Sequence, residues 1–268
     1  MSKLNHALYL GIFIAFLSIQ FFSATSVLAQ ETVTGYVYED RNNNSNKDKN
    51  EKGIEGVAVT NGKEVRLTNE DGSYSLPANN DMIVSVIKPT GYAVPVDANN
   101  QPQFFYIHKP NGSPDTGEKR VLPTGNLPKS VDFPLIKQDE ASNFSVLVFG
   151  DPQADDLTNA GYFEKAIVSE VIGGKGAAFG ISLGDLGARN LFDTYIQSLG
   201  KIGIPWYNLL GNHDTNSYKE DKLSDETYEA SFGPTNYALN YANAHFIVLD
   251  DVITPNPSGQ GSYIGGFR

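Results

Sequence analysis

Three stretches decide how this chain folds: FSVLVFGDPQ at 144–153, AAFGISLGD at 177–185 and IPWYNLLGNHD at 204–214. Each is a short apolar run, rich in β-formers, that breaks at a glycine and ends in polar side chains. Short apolar runs bounded in this way read as strands of a parallel sheet covered on both faces. Helix-period segments lie between them. Asn159 to Ile172 carries Tyr162, Phe163, Ala166, Ile167 and Val171 at helical spacing and stops at Gly173-Gly174, and a second helix is predicted near Asn190–Leu199. Strand, helix and strand in alternation predict βαβ units. Because open α/β sheets collect their sites at the carboxyl ends of the strands, Asp151, Gln153, Asp185, Asn212 and His213 are predicted to converge. Carboxylates, amides and an imidazole brought together in this way point to metal chemistry.

Upstream the pattern changes. From Thr32 to about Lys137 the chain reads as short strands, TVTGYVYED, GVAVT, KEVRLT, GSYSL, MIVSVIK, FFYIH and SVDFPLI, broken by Asn, Gly, Pro and Asp. Asn61-Gly62 and Asp71-Gly72 sit where hairpins need them, and no helix period intervenes, so a β-sandwich is predicted. The segment from His108 to Pro128 holds four prolines and reads as an irregular connection to the last strand. His108, with no partner in sequence, is expected to be a hydrogen-bonded structural residue. The boundary between the two parts is placed in 137–142. The predicted organisation is therefore a signal at 1–29, a sandwich at 30–138 and an α/β part at 139–268.

Within the sandwich, Asp40, Asn42, Asn44, Asn46, Asp48 and Glu51 stand at positions 1, 3, 5, 7, 9 and 12 of a twelve-residue loop, the spacing of a calcium loop. Position 6 is Ser45, where such loops carry glycine, and three of the six donors are neutral amides. The alternative is a solvated polar loop.

The first thirty residues carry one cation, Lys3, then an apolar run from about Ala7 to Phe22, then Val27-Leu28-Ala29 before Gln30. This is the pattern of a secretory signal cut after Ala29; the apolar core is short for an uncleaved anchor. An exported protein, periplasmic or extracellular, is expected, with no transmembrane span once the signal is removed. With no cysteine it has no disulfides and no lipidated amino-terminal cysteine. Removing Lys3 leaves 19 of the 20 basic residues against 31 acidic ones, a net charge of −12. Without a basic stretch, nucleic acid or anionic lipid held by charge alone is excluded as a partner.

Two resemblances add to this reading. Gly35-Tyr-Val-Tyr-Glu-Asp40, Gly53-Ile-Glu-Gly-Val-Ala-Val59 and Thr68-Asn-Glu-Asp-Gly-Ser-Tyr74 resemble the sandwich modules of bacterial surface proteins and carboxypeptidase regulatory domains. There the module is a spacer or binding platform. Asp-x-Gln, then Gly-Asp, then Gly211-Asn-His-Asp214, about thirty residues apart, is similar to the first half of the calcineurin-like metallophosphoesterases. The tetrapeptide is its most specific part. The sandwich, with HKPNGSP and LPTGNLP, resembles the amino-terminal module of an exported bacterial subgroup of that family.

The second resemblance implies the first half of an α/β/β/α sandwich that hydrolyses a phosphomonoester or phosphodiester with two divalent metals and an activated hydroxide. It implies Asp151 and Gln153 on one metal, Asp185 bridging both and Asn212 on the other. His213, hydrogen-bonded toward Asp214, would assist the leaving group. The family usually has histidine where Gln153 stands, and the harder amide oxygen favours manganese or magnesium over zinc or iron. Its later histidine motifs, the last of form Gly-His-x-His, do not occur before Arg268, so a carboxy-terminally truncated chain with weak or no catalysis is expected. His245 is read as structural. Arg189 and Asn190 are candidate substrate contacts, Asp155-Asp156 reads as a helix cap, and Asp250-Asp251 reads as turn residues. The competing function class is a non-catalytic surface or carbohydrate-associated protein, with the sandwich as its working part and a degenerate phosphoesterase half. Association with the cell envelope fits either class. A Ser-His-Asp hydrolase lacks its Gly-x-Ser-x-Gly elbow.

Overall fold

The computed structural model describes residues 31–115, 117–216, 220–254 and 263–267; the expected export signal at 1–29 lies outside them. The described chain is mostly β-sheet with few helices. Its first part comprises β1 (Thr32–Glu39), β2 (Ala58–Thr60), β3 (Val65–Leu67), β4 (Ser73–Pro77), β5 (Met82–Val86), β6 (Tyr92–Ala93), β7 (Phe105–His108) and β8 (Phe133–Lys137). They form two four-stranded sheets, ordered β4-β1-β8-β6 and β3-β2-β5-β7. Between the sheets lies a core that includes Val37, Val59, Leu76, Val84, Phe133 and Leu135. Alternation on β1 sends Val33 and Val37 inward while Thr32, Thr34 and Tyr36 face solvent. Gly35 is required by a close approach: a Cβ there would lie 1.7 Å from the Val131 carbonyl oxygen. Two-residue β6 is too short to register as a periodic signal and is absent from the sequence reading.

The second part comprises β9 (Val146–Phe149), α1 (Leu157–Ala166), β10 (Phe179–Ser182), α2 (Phe192–Gly200), β11 (Trp206–Asn208), α3 (Glu226–Phe232) and the hairpin β12 (Tyr237–Tyr241) and β13 (Ala244–Val248). The three apolar runs pair in parallel in the order β11-β10-β9. Helix α1 begins at Asp156, whose side chain accepts from the Asn159 N–H at 2.8 Å. It ends earlier than the periodicity suggested. Ile167 caps it, its N–H still bonded to the Phe163 carbonyl at 3.0 Å, and a 3-10 turn over Val168–Val171 replaces the last turn. No helix among the described residues is long and apolar enough to cross a membrane.

β10 and β11 are buried at every position, which explains why their stretches read as continuous apolar runs, while β9 at the edge of the sheet leaves Val148 exposed. Phe179, Ile181 and Tyr207 face the sandwich and the β12–β13 hairpin, sharing one core with Leu76, Phe104, Tyr237 and Leu239. Trp206, Leu199, Phe192 and Val168 fill the opposite face under the helices, with Phe149 and Phe163 against them. Gly180 exists to admit an indole: a Cβ there would lie 2.0 Å from the Trp206 ring. Trp206 Nε1 donates to Ser182 Oγ at 2.8 Å, so the one polar atom of the indole is satisfied.

A buried ion pair ties the sandwich to the hairpin. Lys88 Nζ lies 2.6 Å from Glu140 Oε1 and donates to the Asn240 carbonyl at 2.7 Å. Glu140 Oε2 accepts from the Gly91 and Ala242 N–H groups at 3.0 and 2.7 Å. His108 departs from expectation. It is buried, but its Nδ1 has no hydrogen-bond partner, and burial lowers its pKa.

Candidate functional site

The three strand-end loops meet at Asp185. Its backbone carbonyl accepts from the Gln153 N–H at 2.9 Å, and its Oδ1 accepts from the His213 N–H at 3.1 Å. Parallel pairing continues past the strands through the bridge between Ala154 and Gly187. The loops after β9 and β11 are thus both held to the loop after β10. Asp151, Gln153 and Asp185 all adopt left-handed backbone, with φ of 37°, 38° and 49°. Such conformations cost about 1–3 kcal/mol each outside glycine and cluster where geometry serves a function. Two glycines make room. A Cβ on Gly184 would lie 2.8 Å from Gly211 Cα, and one on Gly211 would lie 2.2 Å from both the amide nitrogen and Oδ1 of Asp185.

Asp214 has a different place from the one expected. It is fully buried, and its two carboxylate oxygens accept from the Leu186 and Gly211 N–H groups, each at 2.8 Å. Burial pushes its carboxyl up to about 7, with Asp185 adding to the rise and the two backbone donors opposing it. It fixes the Gly184-Asp185 and Gly211-Asn212 loops against each other, and no hydrogen bond to the His213 ring is seen. His213 itself is exposed, and Asn212 is half-buried beside it.

Arg189, a candidate substrate contact, is held by a neighbouring carboxylate. Its Nε and Nη2 make a two-pronged ion pair with Glu118 at 2.8 Å each, and Nη1 donates to the Thr215 carbonyl at 2.8 Å. Asn190 is exposed. Glu118 also takes the Asn216 amide and the Thr227 hydroxyl, so the irregular sandwich connection braces the segment after Asn212. Sequence reasoning missed Glu118, because 71 positions separate it from Arg189 and no local pattern marks it. Other candidates are structural. Asp250 accepts from the Val252 N–H at 3.0 Å, and His245 Nδ1 lies 2.6 Å from Asn240 Oδ1 across the hairpin.

The candidate metal set offers two carboxylates, Asp151 and Asp185, and two amides, Gln153 and Asn212. Among the described residues no group of three or more His, Cys, Asp or Glu side chains is assembled for a metal. Hard oxygen donors with two negative charges between them match a single divalent cation such as Mn²⁺ or Mg²⁺ in charge and type.

In the sandwich, the loop between Asp40 and Glu51 curls onto its own side chains. Asp40 accepts from the Asn44 and Ser45 N–H groups at 3.3 and 2.8 Å, and Glu51 from those of Arg41 and Asp48 at 2.8 and 3.0 Å. The amides of Asn42 and Asn44 both meet Asp48 Oδ2, at 2.8 and 3.1 Å. Asn46 instead turns its amide to the Asn44 carbonyl, 2.8 Å away.

Residues 41–118 match the family model for the N terminal of calcineurin-like phosphoesterase. No curated protein matches the chain. The matched segment starts in the curled loop, spans most of the sandwich and ends at Glu118, the residue that grips Arg189. This supports a phosphoesterase affiliation and, at the coarse level, a hydrolase.

Proposed function

We propose that the three strand-end loops form part of a metal-dependent phosphoesterase site that acts on a phosphomonoester or phosphodiester. The observation that carries the reading is the hub at Asp185, where loops from three adjacent parallel strands meet on one carboxylate-bearing residue in strained backbone. In this reading the parallel sheet with α1 and α2 is the first half of an α/β/β/α sandwich. Asp151, Gln153, Asp185 and Asn212 hold divalent metal, with Mn²⁺ or Mg²⁺ preferred by the oxygen-only donor set. A metal held there supplies Lewis-acid stabilisation of charge on the phosphoryl oxygens. Exposed His213 protonates the leaving oxygen, and Asp214 positions it by locking the loop backbone rather than by touching its ring. Export to the periplasm or the exterior, with cell-envelope association, completes the proposal; it draws on the signal-like residues 1–29.

The test is titration calorimetry of the purified protein with MnCl₂, alongside hydrolysis of bis-p-nitrophenyl phosphate. Mn²⁺ binding that weakens at least about tenfold in Asp185→Asn, with slow Mn²⁺-dependent hydrolysis lost in the same variant, is expected. A protein that neither binds Mn²⁺ nor hydrolyses the ester would favour the non-catalytic binding class.

A further inference from the structure

We propose that the loop between Asp40 and Glu51 is a calcium site, formed by Asp40, Asn42, Asn44, Asp48 and Glu51 and separate from the strand-end loops. Three features of this loop argue for a cation. Asp40 and Glu51 are 2 % and 6 % exposed, yet no ion pair among the described residues involves them or Asp48. Arg41 pairs with Glu39, and Lys47 sits over the Tyr36 ring. Carboxylates withdrawn from water without a counter-charge are costly, and a bound cation is the usual compensation.

The second feature lies outside the loop. Tyr38 is two residues before Asp40, on the same side of the strand. It is fully buried, and its hydroxyl has no hydrogen-bond partner.

The third is conformational. Ser45, at the position where such loops turn sharply on glycine, takes φ 57°, and Asn43 takes φ 58°. The missing glycine therefore does not prevent the turn. The amides of Asn42 and Asn44 already face Asp48, and rotating either by 180° presents its oxygen instead. Three carboxylates and two amide oxygens, with room for backbone or water, suit the six to eight oxygen donors of about 2.3–2.6 Å that Ca²⁺ takes. Mg²⁺ demands a tighter octahedron. The consequence is mechanical. The loop joins the end of β1, where the Asp40 N–H donates to the Leu135 carbonyl on β8 at 2.9 Å, to Lys52, whose carbonyl accepts from Glu39 at 3.0 Å. Calcium would lock the loop across β1 and β8, the two central strands of one sheet of the sandwich.

The experiment uses the purified protein, stripped with chelator, and follows thermal unfolding and titration calorimetry with CaCl₂ up to about 5 mM, with MgCl₂ as comparison. One Ca²⁺ per chain is expected, with a dissociation constant on the order of 10⁻⁵ to 10⁻³ M and a Tm rise of about 3–8 °C that Mg²⁺ does not reproduce. Asp48→Ala alters an exposed side chain; it should leave the calcium-free Tm within about 2 °C and abolish the rise. Asp185→Asn should keep the full calcium response, which separates this site from the proposed phosphoesterase site. No heat and no Tm shift at the highest calcium, or a shift that survives Asp48→Ala, would overturn the proposal.

Discussion

Replacing Lys88 by methionine removes the positive end of the buried pair with Glu140 and keeps most of the side-chain volume. Breaking such a pair costs about 3–5 kcal/mol, because the remaining charge stays buried without compensation. Glu140 keeps its Gly91 and Ala242 donors, which places Lys88→Met near the lower end, about 3 kcal/mol. Glu140→Gln should cost a similar amount, since it leaves the Lys88 ammonium with the Asn240 and Pro89 carbonyls and the Tyr241 ring. The double variant removes both charges, so its cost should fall about 3 kcal/mol short of the sum of the single costs. At about 2–4 °C per kcal/mol for a chain of this size, each single variant lowers Tm by about 6–12 °C. Urea unfolding followed by fluorescence of Trp206, the only tryptophan, measures the cycle. The two partners also titrate differently. Burial pulls the Lys88 ammonium below its usual value despite Glu140. At Glu140, burial acts upward, but the hydrogen bonds from Lys88, Gly91 and Ala242 prevail and hold the carboxyl below 4.5. A carboxyl lowered on folding adds stability above about pH 4.5 and loses it as pH falls through the lower folded value, so the wild type should lose more stability in acid than Glu140→Gln. Additive single costs, or a Lys88→Met cost below about 1 kcal/mol, would refute the reasoning.

Gly180→Ala drives a methyl into the Trp206 ring and should cost about 1–3 kcal/mol, read as a lower Tm with altered tryptophan emission; an unchanged Tm would mean that the indole moves freely. Glu229 lies 2.7 Å from Lys109, yet burial, aided by the Asp225 carboxylate, pushes its carboxyl up to about 8. A carboxyl raised on folding withdraws stability as pH climbs from about 4.5 to about 8. The Tm advantage of Glu229→Gln over the wild type should therefore grow across that window, and parallel Tm–pH curves would contradict it.

The strands of both parts were legible because their burial follows sequence period: β1 alternates, while β10, buried at every position, is apolar up to Ser182. The first helix overran in the reading because Ile167 and Val171 keep the helical spacing; after Ile167 the chain tightens into a 3-10 turn, a change of hydrogen-bond pattern that periodicity does not carry. The candidate metal residues were named from motif and spacing. What they contact was not legible. Asp214 was expected to hold the His213 ring and instead takes two backbone N–H groups, and the candidate substrate contact Arg189 pairs with Glu118.

The sequence by itself determined which residues end the strands and which donors stand at calcium-loop spacing, because both follow from local order along the chain. Tertiary structure alone decided that Asp185 is the meeting point of three loops, that Asp40 and Glu51 are buried with no ion-pair partner among the described residues, and that Lys88 and Glu140 bind the two parts together. Those outcomes depend on backbone hydrogen bonds and burial between segments far apart in sequence, which no local pattern encodes.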